Sequence, residues 1–147
     1  MRDNDNTLLW YVEVVAIAII LGIFAVIVTP KFTLASNEAK ISRLVERLQI
    51  TRSQIQLYKI QHIEQLPGGG SAPFEQALTQ RTNITGALDA AGPYGPYVKD
   101  IPENPFNNLN AVEVEQDSRY LGGGNCGWHF NSKTGAFHAD TDAHKSL

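Results

Sequence analysis

The residues whose type and spacing could do chemistry lie toward the two ends of this chain. Near the start, Glu13 is the one charged side chain between Leu8 and Val28, in the run LLWYVEVVAIAIILGIFAVIV. A carboxylate inside a membrane-spanning helix costs at least about 2.5 kcal/mol near the helix centre, and less toward the interface. It therefore needs either a cation partner or a place near the headgroups, to which the side chain can snorkel. At the other end, Asp140 and Asp142 offer hard carboxylate oxygens. Calcium takes about 6–8 oxygens, so backbone carbonyls and waters would supply most of its shell there; a solvated acidic tail is the other reading. His129 and His138 fall on two short aromatic runs that read as paired strands, and alternation sends both to the outward face. With no third ligand evident, they read as an exposed pair. Cys126 is the single cysteine, which excludes an intrachain disulfide and a paired-Cys metal centre. It reads as a small buried hydrophobe. Placed three residues before His129 on a strand, it would point to the opposite face, which argues against a thiol–imidazole pair.

Catalytic constellations are missing from the sequence. Ser, His and Asp occur, but not in a nucleophile elbow, and no HExxH motif is found. The Gly68-Gly69-Gly70 run lacks a preceding strand and a following Lys-Ser/Thr, so it reads as a turn and not a phosphate loop. Asn83-Ile84-Thr85 matches a glycosylation sequon and is read as a chance match. The chain is not expected to be an enzyme.

Periodicity defines the elements that must position these residues. Leu8 to Val28 has roughly the 20 residues that an α-helix needs to cross a bilayer. A cleaved secretory signal does not fit, because Arg2 is offset by Asp3 and Asp5 and the apolar run is too long. From Ala35 to His62 the pattern turns amphipathic, with Ile41, Leu44, Val45, Leu48, Ile55 and Tyr58 on one helical stripe. One long helix from about Leu8 to about His62 is expected, bent at Pro30, where a backbone donor is missing. Gly22 lowers local helix propensity by about 1 kcal/mol relative to Ala; it also permits close packing in a membrane helix.

Leu66 to Ser71 ends that helix with one Pro and three Gly. Residues 73–78 then read as a short helix. Gly92 to Phe106 is too rich in Pro for a helix or a central strand, so an ordered loop packed by its own rings is expected. Val112 to Glu115 alternates as a strand, and 127–131 with 136–139 forms a hairpin around Ser132-Lys133-Thr134-Gly135, with Trp128, Phe130 and Phe137 in the core. The fold class is α+β: a long N-terminal helix, one half membrane-spanning and one half amphipathic stalk, packed against a small antiparallel sheet. The expected divisions are 1–8, a leader-like segment; 9–30, a transmembrane or filament-core helix; 31–63, the stalk; and 64–147, a head. That head, about 85 residues, can bury only a small core. The formal net charge of −3 offers no basic patch for nucleic acid.

Glu13, Gly22, Pro30 and Phe32, in a frame of Val, Ile and Ala, resemble the N-terminal segment of type IV pilins and type II secretion pseudopilins. The segment from Gly92 to Phe106 is similar to the GPYL…IP.NPF loop of pseudopilin G-like proteins. The resemblance implies a structural subunit of a pilus-like filament, either a type II secretion pseudopilus or a type IV pilus. The short head, the absent cysteine pair and the Pro-rich loop favour the secretion type. It implies a prepilin peptidase that cuts between Leu8 and Leu9, N-methylation, and Glu13 as the fifth mature residue. Leu8 stands where the family has Gly, and the leader is acidic where the family's is often basic. Glu13, Gly22 and Pro30 then serve subunit assembly, and the Asp140 and Asp142 pair gains weight as a calcium site because some such proteins hold calcium in a C-terminal loop. Partners would be further copies of the chain, minor pilin-like subunits and an inner-membrane assembly platform. The chain would sit in a bacterial inner membrane with its head outside the cytoplasm until extracted into the filament. The alternative is a single-pass anchored binding module that never polymerises.

Overall fold

The computed structural model describes residues 3–116 and 123–147; within α1, the side chains of residues 3–8 and 24–35 lie outside that description. The elements are α1 (Asp3–Gln61), α2 (Phe74–Thr79), β1 (Val112–Glu115), β2 (Trp128–Asn131), β3 (Phe137–Ala139) and a closing 3-10 turn, Asp142–His144. The fold is therefore α+β, with a three-stranded sheet beside one long and one short helix. The chain divides into two compact units, Met1–Ala39 and Lys40–Leu147.

In the first unit the side chains of residues 9–23 are all exposed, from Leu9 at 63% to Ile23 at 56%. Backbone helix continues through Pro30. The bend expected at that residue lies outside the described side chains. Among the described residues, no helix is long and apolar enough to cross a membrane.

The second unit is built on the last turns of α1. Leu44, Leu48, Thr51, Ile55, Tyr58 and His62 are all buried, and their alternating steps of four and three keep them on one face of a 3.6-residue helix. Ile41, expected on this stripe, is 41% exposed because it precedes the first buried turn. The stripe joins Phe74, Ala77 and Leu78 of α2 and Trp128, Phe130 and Phe137 of the sheet in one core. Phe74 lies against Phe130, with ring centroids 4.3 Å apart. A buried His ends the helix. His62 stacks on Tyr58 at 3.8 Å; its Nδ1 lies 2.8 Å from the Tyr58 carbonyl oxygen and its Nε2 2.9 Å from Thr82 Oγ1. A carbonyl only accepts, so Nδ1 donates and Nε2 accepts from the hydroxyl.

The sheet is mixed, not antiparallel as expected. β1 pairs with β2 in parallel, Val112 opposite Trp128 and Glu115 opposite Asn131, whereas β2 and β3 form the expected antiparallel hairpin. β2 is thus the central strand, and all four of its residues are buried. This overturns the exposed pair expected of His129 and His138. His129 is 3% exposed and sits opposite both Glu113 and His138, while His138 is half-buried.

The Pro-rich loop is ordered, but its rings pack onto other elements and not only on one another. Tyr97 meets Tyr58 edge-on at 5.3 Å, Tyr94 approaches His62 at 5.1 Å, and Phe106 stacks on His144 at 3.9 Å. The loop is also tied to the sheet, since Trp128 Nε1 donates to the Pro102 carbonyl at 2.6 Å and Asn104 Nδ2 donates to the Gly127 carbonyl at 2.9 Å.

Candidate functional site

Two places carry the chemistry. In the first unit, Glu13 and Gly22 are both exposed on α1. A methyl group at Gly22 would meet nothing within 4 Å, so no contact among the described residues demands a glycine there. Tyr11, Val12, Val15, Ala16 and Ile19 line a shallow apolar hollow on the same stretch. Leu9 is exposed. The side chains of Leu8 and Pro30 lie outside those described.

In the second unit, the hairpin and β1 bring together acids, a thiol and an imidazole from distant positions. The route begins at Gly127. A Cβ there would stand 2.0 Å from the Leu109 carbonyl oxygen, so only glycine lets the two backbones approach. Gly127 N–H donates to the Ala111 carbonyl at 2.9 Å, and Asp140 N–H donates to the Gly127 carbonyl at 3.1 Å. Cys126 is thereby held between the start of β1 and the end of β3. Its backbone N–H donates to Asp140 Oδ2 at 2.9 Å, and its carbonyl accepts from Asn107 Nδ2 at 2.7 Å.

Asp140 is 1% exposed, and its second oxygen, Oδ1, has no hydrogen-bond partner among the described residues. A carboxylate oxygen of Asp140, Cys126 Sγ and a carboxylate oxygen of Glu113 all lie within 4.8 Å of one another. Burial pushes the Cys126 thiol pKa up, and the charges of Glu113 and Asp140 push it further in the same direction. A second group with the same compactness joins Glu113 to Glu115 and His129, in which Glu115 Oε2 lies 3.2 Å from His129 Nε2.

Asp140 and Asp142, the two carboxylates expected to share calcium, have different neighbours. Asp142 is exposed and accepts from Lys145 Nζ at 2.5 Å, an interaction that holds its carboxyl below the usual range. Asp140 instead faces Cys126 and Glu113. Cys126 differs from its expected burial in being half-exposed, and it precedes β2 instead of lying on it. Sequence reasoning missed Glu113 because its nearness to Cys126 and Asp140 comes from parallel pairing, for which a local pattern carries no signal.

Comparison with protein-family models, with curated proteins and with solved structures finds no match.

Proposed function

We propose that this chain is a structural subunit of a pilus-like filament of the type II secretion pseudopilus or type IV pilus class, assembled by side-by-side packing of the first part of α1. The observation that supports this reading most strongly is the exposure of residues 9–23, apolar on every face apart from Glu13. A helix that is apolar all round is stable only when something apolar surrounds it. The head already has a closed core of its own, so the surroundings must come from lipid before assembly and from other copies afterwards. Gly22, where an added Cβ would meet nothing among the described residues, and the hollow around Ala16 suit the close approach of neighbouring helices.

Glu13 fits this account as a register device. In a filament core the carboxylate is poor in water and needs a cation. The free α-amine of a neighbouring chain that begins at Leu9 would supply it and set the axial step between subunits. The parts implied by this reading are a peptidase that frees and methylates Leu9, an inner-membrane platform that extracts subunits, and minor pilin-like partners.

The test is to co-express the chain with such a platform and peptidase, shear filaments from the cells and analyse them by mass spectrometry. Filaments composed mainly of this chain, starting at an N-methylated Leu9, are expected. Recovery of the chain solely as membrane-held monomers starting at Met1 would overturn the reading in favour of an anchored binding module.

A further inference from the structure

We propose that Cys126, Asp140 and Glu113 form a binding site for a thiophilic divalent cation of the zinc class. The cluster is more than a group of surface acids, because Asp140 is buried and hydrogen-bonded to the Cys126 backbone. One of its oxygens accepts from the Cys126 backbone, and the other has no hydrogen-bond partner among the described residues. An uncompensated buried carboxylate oxygen costs free energy, and a directly bound cation removes that cost.

The donor distances suit such an ion. Zinc–thiolate and zinc–carboxylate bonds of about 2.3 and 2.1 Å at tetrahedral angles place the two donor atoms about 3.6 Å apart. The three donors here lie within 4.8 Å of one another, so a small rotation closes the site. Glu113 is the exposed member and supplies that movement, while Asp140 stays fixed. Water completes the fourth position. On binding, the Cys126 S–H bond breaks, sulfur keeps the electron pair and donates it to the metal, and the proton leaves to solvent.

The thiol decides between cations. Calcium and magnesium take oxygen ligands, and a thiolate contributes nothing to their shells. Zinc, cobalt(II) and related ions gain from sulfur. The neighbouring Glu115 and His129 already lie within 3.2 Å of each other, so the assignment stops at Glu113. The site would clamp the start of β1 to the residues that flank β2 and β3, stabilising the hairpin end of the head.

The test is a titration of the metal-stripped full chain, in detergent micelles, with cobalt(II) and separately with zinc. One cobalt ion per chain is expected, with a thiolate-to-cobalt charge-transfer band in the near ultraviolet that zinc displaces. Cys126→Ser abolishes the band, Asp140→Asn weakens binding about tenfold or more, and Glu115→Gln leaves the band intact. Should Asp140→Asn fail to fold, the exposed Glu113→Gln takes its place and weakens binding to the same degree. The assignment is overturned by a wild-type chain without the band, by cobalt affinity unchanged in Cys126→Ser, or by a complex of one ion between two chains.

Discussion

Tyr97 donates its phenolic hydrogen to Gln61 Oε1 across 2.6 Å. Burial, with the nearby phenols of Tyr58 and Tyr94 adding to it, pushes its pKa from 10.0 up to about 12. A group whose pKa is raised by folding stabilises the fold fully below its ordinary value and loses that contribution as pH rises through the folded value. Unfolding free energy should therefore fall between pH 10.0 and about 12, with Tyr58, whose pKa burial also raises, adding to the decline. Tyr97→Phe should flatten the decline in that window when urea unfolding is measured at successive pH values; an unchanged slope would contradict the assignment. Arg52 makes a different kind of tie. Its Nε and Nη2 donate to the Phe137 carbonyl at 2.9 and 2.7 Å, which joins α1 to β3. Charged hydrogen bonds of this type contribute about 1.5–3 kcal/mol, so Arg52→Ala should lower head stability by that amount, and the compact ammonium of Arg52→Lys should fail to restore it. An unchanged urea midpoint in Arg52→Ala would show the contacts to be idle. Such residue-scale ties were only partly legible in the sequence. Trp128, Phe130 and Phe137 announced themselves as core through aromatic alternation, and all three are fully buried. Arg52 carries no local signal of its role, and Asp140 reads as half of a calcium pair or as part of a solvated acidic tail. Their partners lie far along the chain, where no spacing rule reaches.

At the scale of elements, the legible features were those with local causes. The long helix is carried by a stripe of 3.6-residue period and stopped by Pro67 and three glycines; it ends at Gln61. The short helix and the hairpin follow from equally local signals, and they lie within a residue or so of their expected places. Strand order has no local cause. The alternating VEVE of β1 suits an antiparallel or a parallel neighbour equally, and the parallel one is found. His129 is buried as a consequence of the resulting central position of β2. Gly22 lends itself to a prediction at this scale. Since a Cβ there meets nothing, and Ala favours helix over Gly by about 1 kcal/mol, Gly22→Ala should leave the thermal midpoint of the head unchanged. It should still lower filament yield, because the added methyl occupies space reserved for a neighbouring helix. Filament yield equal to wild type would remove Gly22 from the packing face.

For the whole molecule, the two units have opposite relations to their surroundings. Residues 40–147 close a core around Leu48, Ile55, Tyr58, Trp128 and Phe137. The side chains of residues 9–23 leave apolar surface open on every face. A chain with this division is complete as a fold in one unit and dependent on other molecules in the other, which is the physical content of the filament proposal. Glu13 is the point where that proposal is most exposed to test. Filament assembly should be measured for wild type, Glu13→Ala and Glu13→Asp in cells that carry the platform and peptidase, with head folding checked by thermal unfolding. The account predicts abundant filaments from wild type, none from Glu13→Ala, and a partial return with Glu13→Asp, which keeps the charge on a shorter arm. Wild-type filament levels from a processed, folded Glu13→Ala chain would contradict the pairing of Glu13 with a neighbouring amine.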